Sequence, residues 1–377
     1  MIESIIIDNG TSTCKAGFSE DDMPRVEIPT VLGFPSSQGG GSGDDQIDIF
    51  VGEEALSKGG ILELHRPIEK GEIKNFDIME SIWKHIFYNE LLSETKSNPV
   101  IVSEAPFAPY ENKKQMAQIL FEKLNVENLY ITNTSTLALY ANGKTTGIVV
   151  DLGYQTSSCV PIYEGFVLNH AVGKIEMGGE DLTNYFTSLI NSNKENLTKY
   201  NNPAEKSMIN DLKEKVCEVA EDYDSQMKKC MDSKSFDYYD LPDKSRVYIG
   251  GEKYQCPEML FQPVMNNSIN QNTGIHEQAY KSIKRCDEDI HKDLYYNVVL
   301  CGGSSLFLKI KKRFVKELQS LAPTGKVVNV IAPPERKFSA WLGGAILASL
   351  ESFRQQMFVS KKDFAEAGEN YIYDKFF

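Results

Sequence analysis

Two short stretches of this chain share one pattern: a run of β-branched residues, then Asp, any residue and Gly, then small or hydroxyl residues. The first is IIIDNGTST, ending at Thr13, and the second is GIVVDLGYQTSS, ending at Ser158. A β-branched run that stops at Asp-x-Gly is typical of a strand followed by a tight turn. We therefore expect strands at Ile5–Ile7 and Ile148–Val150, and two similar β-containing halves in one chain.

Strands and helices alternate through the rest of the sequence. The spacing of apolar residues predicts helices over 77–95 and 112–124. The segment 178–235 is expected to be mainly helical and strongly charged, and 339–352 to be a helix with a Gly-Gly face. Further strands are predicted at 98–102 and 298–303, the second followed by a helix from about 305. The Gly-rich stretch 37–45 is typical of an exposed, flexible loop. This order predicts an α/β protein with helices on both faces of its sheets.

The composition narrows the class of partner. The chain has 377 residues, of which 41% are hydrophobic and 25% charged, which suffices for two cored domains. A net charge of −13 argues against direct nucleic-acid binding. No apolar run approaches the roughly 18 residues of a membrane span. We expect a cytoplasmic protein with no membrane or nucleic-acid partner.

The first Asp-x-Gly turn has the residues of a phosphate-binding loop. Gly10 would shape the turn, and the N–H groups and hydroxyls of Thr11, Ser12 and Thr13 would face phosphate, with Lys15 adding a positive charge. One such turn taken alone is better explained as an ordinary β-hairpin.

Two copies of the turn favour phosphate binding over that explanation. Asp8 and Asp151, each at a strand end, would face each other across a cleft and hold Mg²⁺ through water. A third glycine turn, Gly302–Gly303, follows another apolar strand. The set predicts a phosphate cleft between two domains, a geometry common to ATP-binding folds that include sugar kinases and chaperone ATPases.

Longer segments resemble the actin family, essentially from end to end. The segments that carry the resemblance are IIIDNGTSTCKAGF, FVGEEALSKGGILEL, RPIEKGEIKNFDIMESIWKHIFYNEL, TTGIVVDLG, VPIYEGF, KEKVCEVAEDY, TGIHE and IAPPERKFSAWLGGAILASL. The resemblance implies a duplicated α/β fold, two lobes in four subdomains around a central cleft that binds ATP or ADP with Mg²⁺.

The resemblance also implies subdomain boundaries. Subdomain 1 would comprise 1–29, 67–141 and 339–377, and subdomain 2 would comprise 30–66, with a flexible partner loop at 37–46. Subdomain 3 would comprise 142–177 and 271–338, and subdomain 4 would comprise 178–270.

Residue by residue, the resemblance implies the nucleotide site. Phosphate-loop residues would be Gly10, Thr11, Ser12, Thr13, Lys15, Asp151, Gly153, Tyr154 and Gln155, with Asp8 and Asp151 near Mg²⁺. Ribose and adenine would contact Gly179, Lys213, Glu214, Gly303, Ser304, Phe307 and Lys337.

Three positions around the terminal phosphate depart from actin. Thr134 replaces a Gln that positions water, Ser158 replaces a His, and Tyr154-Gln155 replaces Asp-Gly. Because phosphoryl transfer relies mainly on positioning, these changes predict slow or absent hydrolysis, with Asp151, Thr134 and Ser158 as the remaining candidate catalytic groups. The alternative is that nearby polar groups compensate.

The surfaces through which actin subunits assemble differ as well. The partner loop is SSQGGGSGDDQID, without a large apolar side chain before Ile47, and the segment VMNNSINQN at 264–272 is rich in Asn. Lys70 stands where actins often carry a methylated His, and Phe376-Phe377 replaces a terminal Cys-Phe. Since burial of a Val or Met side chain stabilises by roughly 1.5–3 kcal/mol, subunit contacts should be weaker than in actin.

This chain resembles actin in the groove where many actin partners insert a helix. It would be formed by Tyr140, Ala141, Gly143, Thr145, Leu347, Leu350 and Met357. The sequence favours a nucleotide-binding structural subunit of a larger cytoskeletal assembly, with ciliary, axonemal or nuclear settings open. A conventional ATP-driven filament subunit and a small-molecule kinase on the same fold are the alternatives.

Overall fold

The computed structural model describes residues 3–35, 49–196, 198–200, 203–233, 236–266, 273–367, 372 and 375–376. The chain forms two compact units. The first comprises Met1–Thr145, Glu164–Phe166 and Phe338–Phe377, and the second comprises Thr146–Tyr163 and Val167–Lys337. The finer division into four subdomains stays a prediction.

The strands of the described residues run in chain order as follows: β1 (Ile5–Asn9), β2 (Thr13–Phe18), β3 (Val26–Pro29), β4 (Leu32–Pro35), β5 (Phe50–Val51), β6 (Leu62–His65), β7 (Ile68–Glu69), β8 (Glu72–Ile73), β9 (Val100–Glu104), β10 (Asn128–Asn133), β11 (Gly147–Leu152), β12 (Ser157–Tyr163), β13 (Phe166–Val167), β14 (Gly173–Ile175), β15 (Asp237–Asp240), β16 (Arg246–Ile249), β17 (Val298–Cys301), β18 (Val330–Ile331) and β19 (Val359–Ser360).

The α-helices of the same residues are α1 (Glu53–Ser57), α2 (Phe76–His85), α3 (Tyr110–Gln118), α4 (Thr134–Tyr140), α5 (Gly179–Ser192), α6 (Pro203–Val216), α7 (Tyr223–Ser233), α8 (Glu252–Glu258), α9 (Ile275–Lys284), α10 (His291–Tyr296), α11 (Ile310–Leu321), α12 (Ser339–Ser349), α13 (Glu351–Gln356) and α14 (Lys361–Ala367).

The main sheet of the first unit is built around the first β-branched run. Its strand order is β19-β10-β9-β1-β2-β3. β1 pairs antiparallel with β2 and parallel with β9, β9 pairs parallel with β10, and β2 pairs antiparallel with β3. Parallel strands buried on both faces are near-continuously apolar, and Ile5, Ile6 and Ile7 are accordingly buried.

The main sheet of the second unit repeats these pairings around the second β-branched run. β11 pairs antiparallel with β12 and parallel with β17, β17 pairs parallel with β18, and β12 pairs antiparallel with β14. The same order of antiparallel and parallel partners therefore occurs twice along the chain. The predicted α/β class and the predicted duplication are both confirmed.

Each unit has its own apolar core. In the first unit Trp83 and Trp341 are fully buried, and in the second Phe186 and Phe314 are. The predicted Gly-Gly pair lies in α12, where a Cβ on Gly343 would overlap the carbonyl oxygen of Leu137 in α4. The close approach of these two helices therefore requires glycine at this position.

The predicted helices differ from the observed ones at their ends. The helix predicted over 77–95 is α2 followed by a π-helical turn, Ile86–Glu90, and the one predicted over 112–124 is α3 followed by another, Ile119–Lys123. The helix expected from about 305 begins at Ile310, after a 3₁₀ turn at Gly303–Leu306. Apolar periodicity does not distinguish these tighter and wider turns from an α-helix.

The remaining predictions concern the helix at 339–352 and the two assembly segments, 37–46 and 264–272. The helix predicted over 339–352 ends at Ser349, because Leu350 is extended and α13 starts after it. The partner loop at 37–46 and most of the segment 264–272 lie outside the described residues. Among the helices of the described part, none has the length and apolar character of a membrane span.

Candidate functional site

The first Asp-x-Gly turn joins β1 to β2. The hairpin ladder reaches the pair Asn9–Cys14 and leaves the turn of four residues between them. A Cβ on Gly10 would overlap the carbonyl oxygen of Thr13, so the backbone closes tightly only with glycine there. The buried Thr30 holds the turn, since its hydroxyl donates to the Gly10 carbonyl at 2.7 Å. The local sequence therefore makes a narrow, rigid turn.

The donors of this turn are arranged to receive an anion. Among the described residues, the backbone N–H groups of Thr11 and Ser12 have no hydrogen-bond acceptor. Both residues are partly exposed. The Thr13 hydroxyl, in contrast, donates to Glu27 at 3.1 Å and so points toward β3. Two adjacent N–H groups in a glycine turn form the kind of concavity that binds phosphate oxygens.

A buried ion pair lies beneath the turn. The Lys15 Nζ atom is 3.3 Å from Asp8 Oδ2, and the Ser103 hydroxyl donates to Asp8 Oδ1 at 2.7 Å. The two charged side chains are 12% and 9% exposed. Burial opposes the charge on Lys15, but the neighbouring Asp8 carboxylate outweighs it and raises the Lys15 pKa above its ordinary value. Lys15 is therefore a fixed cation close to the turn.

The second Asp-x-Gly turn joins β11 to β12. The Gly153 N–H donates to the Thr156 carbonyl at 3.1 Å and closes the turn. The start of α5 is bonded to it, because Gly179 N–H donates to the Gly153 carbonyl at 2.9 Å and Glu180 N–H to the Tyr154 carbonyl at 2.8 Å. Gly302, with φ of 85°, leaves room for the Asp151 carboxylate, which a Cβ there would overlap.

The residues at the three divergent positions have defined surroundings. Gln155 Nε2 donates to Glu180 Oε2 at 3.0 Å. Ser158 is buried in β12, paired in the ladder with Asp151 and with Lys174 of β14. Thr134 is the first residue of α4 in the first unit, following the N-cap Asn133. All three side chains are uncharged, and those of Ser158 and Thr134 are short.

Three of the residues predicted to contact adenosine, Gly179, Lys213 and Glu214, are linked by hydrogen bonds in the second unit. Lys213 Nζ donates to the Gly179 carbonyl at 3.2 Å, to Thr183 Oγ1 at 2.8 Å and to Asn210 Oδ1 at 2.9 Å. Burial lowers the Lys213 pKa. Glu214 accepts from Asn210 at 3.0 Å. Lys213, which is buried, thus links α6 to α5 through its ammonium group. Only its aliphatic stem is then free to contact a flat base.

The third glycine turn meets the second one. The Ser304 hydroxyl donates to the Gly153 carbonyl at 3.3 Å, and a Cβ on Gly179 would lie 2.9 Å from the same hydroxyl oxygen. Phe307, which follows in the same segment, is buried, and Lys337 is the last residue of the second unit. The structure therefore brings Gly153, Gly179 and Ser304 together.

Sequence reasoning missed several residues that hold these turns. Ser103 contacts Asp8 from the end of β9, and Thr183 and Asn210 accept from Lys213. A signal for Ser103 exists in the sequence, since it ends an apolar strand, and parallel strands end at the same edge of a sheet. Glu180 follows the Gly-Gly pair at 178–179 without any local pattern that indicates its contact with Gln155.

The residues present fit a nucleotide and a hydrated hard cation. The glycine cradles at Gly10 and Gly153 and the N–H groups of Thr11 and Ser12 suit phosphate oxygens. Within the described residues no three His, Cys, Asp or Glu side chains are grouped as direct metal ligands. Asp8 in the first unit and Asp151 in the second each carry a carboxylate, the type of oxygen ligand that Mg²⁺ prefers.

The predicted groove residues all belong to the first unit. Tyr140 ends α4, Ala141 is its C-cap, and Gly143 has φ of 64°. Leu347 lies in α12 and Met357 follows α13, both partly buried against the core. Leu350, at the break between the two helices, is 47% exposed.

Comparison with known families agrees with the fold. The sequence model of the family described as Actin matches residues 1–377, the whole chain. The chain belongs to the actin family. Proteins of this family generally bind ATP or ADP with Mg²⁺.

Proposed function

We propose that this protein is a nucleotide-binding structural subunit of a cytoskeletal assembly, which binds ATP or ADP with Mg²⁺ and hydrolyses ATP slowly or not at all. The observation that carries nucleotide binding is the first turn, where the N–H groups of Thr11 and Ser12 have no acceptor among the described residues and Lys15 lies beneath them. This arrangement supplies two donors and a cation without any movement of the backbone.

Each part of the site has a separate task in this proposal. Thr11, Ser12 and Lys15 bind phosphate oxygens, and Gly153, Tyr154 and Gln155 bind them through the backbone of the second turn. Asp8 and Asp151 hold the hydrated Mg²⁺, which when bound neutralises phosphate charge. Gly179, Lys213, Glu214, Gly303, Ser304, Phe307 and Lys337 bind ribose and adenine.

Slow hydrolysis is proposed from the groups at the divergent positions. Asp151 is the one carboxylate left among the candidate catalytic residues, and Thr134 and Ser158 carry neither the reach of Gln nor the base strength of imidazole. Ser158 is also buried in a strand. Water positioning and general-base assistance each contribute on the order of 10²–10⁴ in rate, so their loss is sufficient to leave ATP bound but intact.

Partner binding is proposed at the groove around Tyr140, Leu347 and Leu350. The half-exposed Leu350 side chain, at a break between two helices, supports an apolar contact of the kind that an inserted helix makes. Actin-type binding proteins and actin-like subunits are the proposed partners, in the cytoplasm and its cytoskeleton.

The test combines bound-nucleotide analysis with sedimentation. Purified protein is incubated with Mg-ATP, freed of unbound nucleotide, and denatured, and the released nucleotide is identified by chromatography. We expect about one nucleotide per chain, mostly ATP after an hour, and little Mg²⁺-dependent pelleting at concentrations where actin assembles. Absence of nucleotide would overturn the proposal, and robust pelleting with ADP as the product would favour the conventional filament subunit instead.

A further inference from the structure

A side-chain bond ties the second turn to the helix that follows it in space. Gln155 Nε2 donates to Glu180 Oε2 at 3.0 Å, and Glu180 is the second residue of α5. Both side chains are partly buried. The bond therefore joins the turn between β11 and β12 to the first turn of α5, 25 residues away in the sequence.

The backbone makes the same connection at two further points. Gly179 N–H and Glu180 N–H donate to the carbonyls of Gly153 and Tyr154, and a Cβ on Gly178 would overlap the Tyr154 carbonyl oxygen. The first turn of α5 is thus hydrogen-bonded directly to the turn between β11 and β12. Amide hydrogen exchange at Gly179 and Glu180 therefore measures how firmly the turn is held to α5.

The same helix turn continues into the candidate adenosine group. Lys213 Nζ donates to the Gly179 carbonyl at 3.2 Å, one residue before Glu180. Asp181, the next residue along, accepts from the Gly178 N–H at 2.9 Å and caps the helix. The start of α5 is therefore held on one side by the turn and on the other by α6.

We propose that Gln155 is a positioning residue which, through Glu180, latches the second phosphate turn onto α5 and so slows the release of bound nucleotide. The Gln155 side chain holds the backbone of the turn against α5, because its amide donates to Glu180. A hydrogen bond to a carboxylate is stronger than one between neutral groups, and this one closes a turn that two backbone bonds already hold. The effect on nucleotide release rests on the proposed function, whereas the latch itself does not.

The test uses four variants and two readouts. Gln155→Ala and Glu180→Ala each remove the bond, while Glu180→Gln keeps an oxygen that accepts from Gln155. Gln155→Glu combined with Glu180→Gln restores the bond with donor and acceptor exchanged. Glu195→Ala, which changes an exposed carboxylate beyond the end of α5, is the matched control.

The first readout is amide hydrogen exchange at Gly179 and Glu180 in ligand-free protein. We expect exchange at both amides to rise about tenfold in the two alanine variants, to rise by less in Glu180→Gln, where the bond joins two neutral groups, and to stay near wild type in the exchanged pair and in the control. Unchanged exchange in both alanine variants would overturn the latch. An equal rise in Glu180→Gln would also overturn it, because that variant retains the acceptor.

The second readout is the dissociation rate of a fluorescent ATP analogue. We expect about tenfold faster dissociation in the alanine variants, with rescue in Glu180→Gln. If wild-type protein binds no nucleotide, the proposed function fails while the exchange measurement still decides the latch. If wild type binds and the alanine variants release the analogue at the wild-type rate, Gln155 has no effect on release and that part of the inference is wrong.

Discussion

Lys15 Nζ lies 3.3 Å from Asp8 Oδ2, and the Ser103 hydroxyl donates to the other oxygen of the same carboxylate. This relationship places a buried positive charge next to the first turn, with its counter-charge on the neighbouring strand. Removal of either partner alone would leave the other as an uncompensated buried charge, which is costly in the folded protein.

Asp8→Asn should therefore destabilise the protein by about 3 kcal/mol in the free energy of unfolding, since Lys15 remains buried without its carboxylate. Urea denaturation followed by circular dichroism measures the change. Glu54→Gln is the control, because Glu54 pairs with Lys58 at the surface and its side chain is 59% exposed. A similar loss in both variants would show that burial of the Asp8–Lys15 pair does not matter.

Gly343→Ala should separate two helices in the first unit. Its Cβ would overlap the carbonyl of Leu137, and backbone does not yield as a flexible side chain does. We expect a loss of about 2 kcal/mol in stability from this overpacking. Gly60→Ala is the control, since a Cβ there has no atom within 4 Å, and it should change stability by less than about 0.5 kcal/mol. Equal stability of the two variants would contradict the close packing of α12 on α4.

His276 should make the second unit sensitive to acid. Burial lowers its pKa, while Glu277 and Glu317 oppose the shift and Arg313 adds to it. A lowered folded-state pKa means that the stabilising contribution is present above pH 6.5 and is lost as the pH falls through the folded value. The urea midpoint of wild type should fall more between pH 7 and pH 5 than that of His276→Phe, which retains the ring contact with Phe261. Parallel curves for the two proteins would show that His276 stays uncharged or is equally solvated in both states.

The sequence predicted the parts of the fold that repeat locally. The β-branched runs, their Asp-x-Gly turns and the Gly-Gly face of α12 all follow from residues adjacent in the chain, and the structure has them. It did not predict the π-helical turns after α2 and α3 or the break at Leu350, since apolar spacing is nearly the same through such changes. The side-chain contacts of the candidate site were harder to predict than these turns and breaks. Gln155 and Glu180, or Thr13 and Glu27, meet only through tertiary packing, which no local pattern encodes.

The most direct test of slow hydrolysis is single-turnover phosphate release from bound ATP, measured in wild type and in the variant Thr134→Gln, Tyr154→Asp, Gln155→Gly, Ser158→His. Conventional actin under the same conditions supplies the reference rate. We predict that wild type releases phosphate at least about 100-fold more slowly than actin, and that the fourfold variant recovers part of the difference, because it regains the positioning groups. Release from wild type at the rate of actin would contradict the account.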